Sequence, residues 1–232
     1  VNVLDLKTFR RDWSTDHKKL RSYLASGEQI QTAKDLFCNL HGVMHSEDLL
    51  GGESWSYADF IFNDLSEQQL RWIPEKAEHS LVWILWHISR IEDITMNILV
   101  GDEPQTYLSG KWDKKLASPI HHAGNLILDG DLQSLSEEIV IDQLFAYRLA
   151  VGRSTQEVVE KLTVEDLNIK TPIDRLDRIM KEEALLPDAE VLIEYWGRKR
   201  IYQLLLMPPT RHLMVHLNEA QALKGQVIKS TG

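Results

Sequence analysis

The sequence predicts an all-α protein whose core is an antiparallel four-helix bundle. Three observations predict it. Apolar residues recur at steps of three and four along most of the chain, while strict alternation is scarce. Helix stop and start signals separate these stretches: Gly51-Gly52, Ser66-Glu67-Gln68-Gln69, Pro74, Gly101 and Pro208-Pro209. A chain of 232 residues, 43% apolar and 26% charged, can bury a core without covalent staples.

Residues 5–25 read as one or two polar helices. The next helix runs from about Glu28 to Leu50, with Ile30, Ala33, Leu36, Phe37, Leu40 and Met44 on one side. Ser54 to Leu65 reads as another, followed by the capping-box form Ser66 to Gln69. The clearest helix is Ser80 to Val100, whose inner stripe is Ile84, His87, Ile91, Ile94 and Ile98. Residues 102–130 hold Pro104, Gly110, Pro119, Gly124 and Gly130 and read as a long irregular connection. A helix from about Glu137 to Leu162 turns Ile141, Phe145, Leu149, Val159 and Leu162 inward, and Thr163 to Asp166 starts a short turn. Residues 173–185 and 189–206 are expected to be helical, and Pro208-Pro209 to break the chain before a last helix from Thr210 to about Lys224. The connectors Leu65 to Pro74 and Leu162 to Pro172 resemble each other, each a cap followed by a proline.

Composition narrows the function classes. A net charge of −9 argues against nucleic acid or an anionic membrane as the main partner. The run Arg198-Lys199-Arg200 reads as a solvated helix end. The most apolar stretch, Leu81 to Val100, is interrupted by His87, Arg90, Glu92 and Asp93, which speaks against a membrane span. Glu92 and Asp93 are expected in solvated roles. The single cysteine, Cys38, rules out an internal disulfide and reads as an inert thiol in an apolar helix. With no secretory pattern at the N-terminus, a cytoplasmic location is the expectation.

The chemistry concentrates in the histidines. Among nine, two pairs stand four apart, His41/His45 and His212/His216. On a helix that spacing puts both imidazoles on one face, within reach of a single ion. His87 interrupts an apolar stripe, where a bare imidazole would pay desolvation unless something satisfies it. A divalent ion shared with a facing pair would do so. Each histidine taken alone reads as readily as a core residue bonded to a carbonyl or carboxylate. His41 and His45 are ranked as pocket-lining or ligand-supporting candidates, Trp86 as a pocket wall and Asn218 as a further pocket candidate. There is no His-Glu-x-x-His, no nucleophile elbow and no phosphate-cradling loop.

At this point a family resemblance enters. His79-Ser-Leu-Val-Trp-Ile-Leu-Trp-His87-Ile-Ser-Arg-Ile-Glu-Asp93 resembles the second-helix signature of the DinB/YfiT-like superfamily. Thr210-Arg-His212-Leu-Met-Val-His216-Leu-Asn218-Glu-Ala220 resembles its closing helix. The resemblance implies a divalent metal, zinc or nickel, on His87, His212 and His216. It covers roughly residues 30–100 and 138–226, so 1–27 reads as an N-terminal helical extension to a bundle domain of 28–232, with insertions near 102–130 and 173–200. Members include thiol-dependent S-transferases and isomerases, damage-inducible proteins and domains of iron enzymes. The iron-enzyme domains carry Glu where this chain has Asn218, which weakens an iron reading.

Three functional expectations follow. The first is a metal-dependent transferase or hydrolase acting on a small-molecule substrate, with a low-molecular-weight thiol as co-substrate and His45 as a candidate general base. The second is a non-catalytic, metal-stabilised binding or stress-response module whose ion is closed off by a fourth ligand such as His45. The third is a metal-free interaction protein. A homodimer is the expected assembly.

Overall fold

Several helices in this protein begin where a side chain replaces a missing backbone partner. The computed structural model describes residues 5–52, 54–74 and 79–231; the first four residues of the N-terminal extension lie outside them. Asp5 accepts a bond from the Lys7 amide to start α1 (Leu6–Ser26), and Gly27 ends it in the left-handed conformation, φ 71°. Then come α2 (Ile30–His45), a 3₁₀ turn (Glu47–Leu50), α3 (Tyr57–Phe62) and α4 (Glu67–Arg71). Ser80 caps α5 (Leu81–Asp93), which widens into a π-helical segment over Ile94–Gly101. Short helices α6 (Thr106–Ser109), α7 (Trp112–Lys115) and α8 (Asp129–Glu138) precede α9 (Ile141–Lys161). After α10 (Val164–Leu167), α11 (Ile173–Lys181), α12 (Glu190–Gly197) and α13 (Ile201–Leu205), a second π segment, Met207–His212, leads into α14 (Leu213–Thr231). Among the described residues there is no strand, only an isolated bridge between Lys170 and Arg200. Nor is any helix long and apolar enough to cross a membrane.

The bundle consists of α2, α5, α9 and α14, with α1 packed along α2. Contacts between α5 and α14 pair His79 with Glu219, Trp83 with His216 and His87 with His212, so these helices run antiparallel. Lys34 with Glu160 and Met44 with Arg148 set α2 antiparallel to α9. Contrary to the sequence expectation, the bundle is not antiparallel throughout: Tyr147 lies by Arg90, Ser154 by Asn97 and Val158 by Gly101, so α5 and α9 run parallel, and the same orientations make the neighbours α2 and α14 parallel. A chain entering α9 in the same direction as α5 must first return along the bundle, which is why residues 102–140 are long.

Several boundaries differ from the sequence expectation. The stretch read as irregular contains α6, α7 and the start of α8, and the helix expected from Glu137 to Leu162 is divided between α8 and α9. Pro208-Pro209 do not break the chain. Proline lacks an N–H and crowds the preceding turn, and the wide π turns accommodate both while carrying the helix on into α14. Both capping boxes form, Ser66 with Gln69 and Thr163 with Asp166, so the two similar connectors fold alike. At the basic run, Arg198 pairs with exposed Glu194, as a solvated helix end would.

The expected inner stripe of the clearest helix is too narrow. Every residue from Ser80 to Val100 is buried, the polar ones included. Glu92 and Asp93 are therefore not solvated; both are fully buried. Asp93 accepts from the Tyr147 hydroxyl (2.6 Å), the Tyr107 and Thr106 amides (2.8 Å each) and the Asn97 amide group (2.7 Å). Arg90 lies 3.4 Å away, donates to Gln105 and the His121 carbonyl, and stacks on the Tyr107 ring. This pair moors the long connection to the bundle. Replacing Asp93 by Ala leaves Arg90 charged, buried and unmatched, so the variant should lose about 3–5 kcal/mol of stability in urea unfolding.

Candidate metal centre

His87 on α5, His212 at the end of the second π segment and His216 on α14 each offer a ring nitrogen, and these three nitrogens lie within 4.8 Å of one another. Local structure aims each ring. The His87 Nδ1–H donates to the Ala123 carbonyl at 2.8 Å, which leaves Nε2 as the lone-pair nitrogen. His216 Nδ1 lies 2.9 Å from Glu219 Oε2, freeing its own Nε2. His87 Nε2 and His212 Nε2 face each other at 3.2 Å. Two nitrogens held about 2.05 Å from one tetrahedral zinc ion lie roughly 3.3 Å apart, so the arrangement fits such an ion. His212 Nδ1 is buried without a hydrogen-bond partner.

The long connection supplies the support. Three successive carbonyls, of His122, Ala123 and Gly124, accept the ring N–H groups of Trp86, His87 and Trp83. Trp83 stacks on His87 with centroids 4.6 Å apart, and His79 stacks on its other face at 3.5 Å. Gly124 has φ +79°, and a Cβ there would stand 2.9 Å from Trp83 Nε1, so the close approach requires glycine. Glu219 links the two histidines it faces, with Oε1 3.6 Å from His79 Nδ1. The hydrogen bond with His216, with the His79 imidazole close by, pulls its carboxyl down to about 2. Burial, with His216 nearby, pushes His87 down to about 3, and burial drives His212 well below its ordinary value. Both are neutral at pH 7, the form that binds a metal.

The remaining sequence candidates lie elsewhere. His41 and His45 form a separate group with Glu92, so His45 joins neither the fourth position nor the base role at His87. Trp86 is fully buried and holds the connection instead of walling a pocket. Asn218 accepts from the Tyr57 hydroxyl at 3.0 Å, which in turn accepts from Arg10, tying α14 to α3 and α1. Cys38 is half-buried, and burial pushes its thiol up to about 11, in line with an inert role. Sequence reasoning missed His79, Glu219 and Glu92. The spacing of His79, Trp83 and His87, four apart, and of His216 and Glu219, three apart, carried a signal for the first two.

A sequence profile described as the DinB superfamily matches residues 52–177, which includes His87 and ends before His212. None of the curated proteins compared matches the chain.

The buried imidazoles imply acid sensitivity. His87, His212 and His45 have folded values below the ordinary 6.5, so between 6.5 and about 3 for His87 the unfolded chain binds protons that the fold refuses. Stability is therefore full above 6.5 and declines as pH falls through this window. The Tm of chelator-treated protein should hold down to about pH 6.5 and drop steadily from there to about pH 5; a flat Tm over that lower range would contradict the neutral, buried assignment.

Proposed function

We propose that this chain, which belongs to the DinB superfamily, is a metal-dependent enzyme that holds a divalent ion, zinc or nickel, on His87, His212 and His216 and acts on a small molecule. The observation that carries the reading is the convergence of these three ring nitrogens, with His87 Nδ1 and His216 Nδ1 already committed elsewhere. A bound ion of this kind supplies Lewis acidity, making a coordinated water or thiol a nucleophile at neutral pH. The chain's own groups do the positioning. Ala123 fixes the His87 tautomer, Glu219 orients His216, and Trp83 braces the His87 ring from one face. Glu219, partly exposed, also faces His79 Nδ1 at 3.6 Å on the same side of the group.

Among the described residues the group contains three ligand side chains, which favours an open fourth position over a closed structural site. Thiol transfer to an electrophilic small molecule is the reaction class we favour, on family resemblance, with hydrolysis as the alternative. The test combines elemental analysis with thermal melts and a screen of low-molecular-weight thiols against electrophilic acceptors. The double variant His212→Ala, His216→Ala should lose one metal equivalent relative to the native protein, part of the chelator-sensitive melt, and all thiol consumption. Unchanged metal content in that variant would refute the three-histidine site.

A further inference from the structure

A second cluster lies on the opposite side of α5. His41 and His45, one turn apart on α2, converge on Glu92, and the three offer ligand atoms within 4.8 Å of one another. All three are buried, at 0–1% exposure. Glu92 reaches between the rings: Oε1 lies 2.7 Å from His41 Nε2, and Oε2 lies 3.7 Å from His45 Nε2, too far for a hydrogen bond. Thr155 on α9 donates to Oε1 at 2.7 Å and fixes the carboxylate plane. What remains unpartnered is Nδ1 of His41, both ring nitrogens of His45 and Oε2 of Glu92, and of these His45 Nε2 faces Glu92 Oε2. Leaving such groups dry and unmatched costs the fold their full desolvation, so a native core keeps them for a reason.

The surroundings were shaped around His45. A Cβ on Gly152 of α9 would stand 2.7–2.8 Å from its ring atoms, so glycine makes the room the imidazole fills. His45 also lines a cavity of about 310 Å³ whose wall includes Glu47, Asp48 and Asp59. Arg148 lines the same cavity and works against a cation, but the carboxylate of Glu92 and those three acidic residues supply the opposing charge. Two imidazoles with one carboxylate suit a first-row transition ion and disfavour calcium or magnesium, which prefer oxygen ligands.

We infer that His41, His45 and Glu92 form a second, buried site for a divalent transition-metal ion, opening toward the cavity beside Asp59. The ion would sit between His45 Nε2 and Glu92 Oε2, taking both orphaned atoms as ligands together with one from His41. It shares no ligand with the His87 group and does not depend on the proposed activity.

The test uses zinc-loaded full-length protein. Elemental analysis should give two equivalents in the native chain, one in Glu92→Gln, one in the His212→Ala, His216→Ala variant, and none when these changes are combined. Anomalous scattering at the zinc edge from native crystals should show a peak within bonding distance of His45 Nε2, a readout that survives if Glu92→Gln fails to fold. One equivalent in the native protein, unaffected by Glu92→Gln, with a peak only at His87, overturns this site alone. No peak at either place overturns it together with the proposed function.

Discussion

The burial of α5 on every side is the constraint on which the rest of this structure depends. A helix sealed on all faces leaves no water for its polar side chains, so each must find a partner from a neighbour. His87 and Asp93 find theirs in the long connection, Glu92 finds His41 and Thr155, and Arg90 finds Asp93, Tyr147 and Gln105. Meeting these demands draws the connection, α2, α9 and α14 onto one helix and fixes their registers.

The parallel run of α5 and α9 has a second consequence. It obliges the chain to cross back over the bundle, and the crossing segment becomes the scaffold of the three-histidine candidate centre. Carbonyls of residues 122–124 stand in order against the indole of Trp86, the imidazole of His87 and the indole of Trp83. Irregular backbone is well suited to this task, because its carbonyls are not already spent within a helix. The Asp93 carboxylate anchors the near end of the same segment through the amides of Thr106 and Tyr107.

His87 and Glu92 stand five residues apart on one helix, which at 3.6 residues per turn is a rotation of about 140°. One therefore faces α14 and the other faces α2 and α9, so a single helix serves both histidine clusters. The π segments sit beside this arrangement. Widened turns over Ile94–Gly101 continue α5, and those over Met207–His212 carry His212 into line with His216. Such segments are rare and tend to mark functional sites.

The sequence by itself determined the all-α class, the approximate spans of the long helices, the two capping-box connectors and the three histidines that meet at the candidate centre. The class, the spans and the connectors rest on local spacing: a period near 3.6 and a cap three residues from its partner. For the histidines, spacing offered two pairs four apart and one imidazole interrupting an apolar stripe, and the choice of His212 and His216 as partners of His87 came from the family resemblance. Periodicity says which face of a helix is apolar, but not whether the polar face meets water or other protein. For that reason Glu92 and Asp93 read as solvated, and only packing showed them buried. The union of His41 and His45 with Glu92 joins residues about fifty positions apart on two helices, and nothing in the spacing within either helix encodes that register. The parallel pairing of α5 with α9, and the role of residues 122–124 in holding His87, were likewise decided in three dimensions, where the partner of each buried polar group is chosen by what the fold brings within a hydrogen bond's reach.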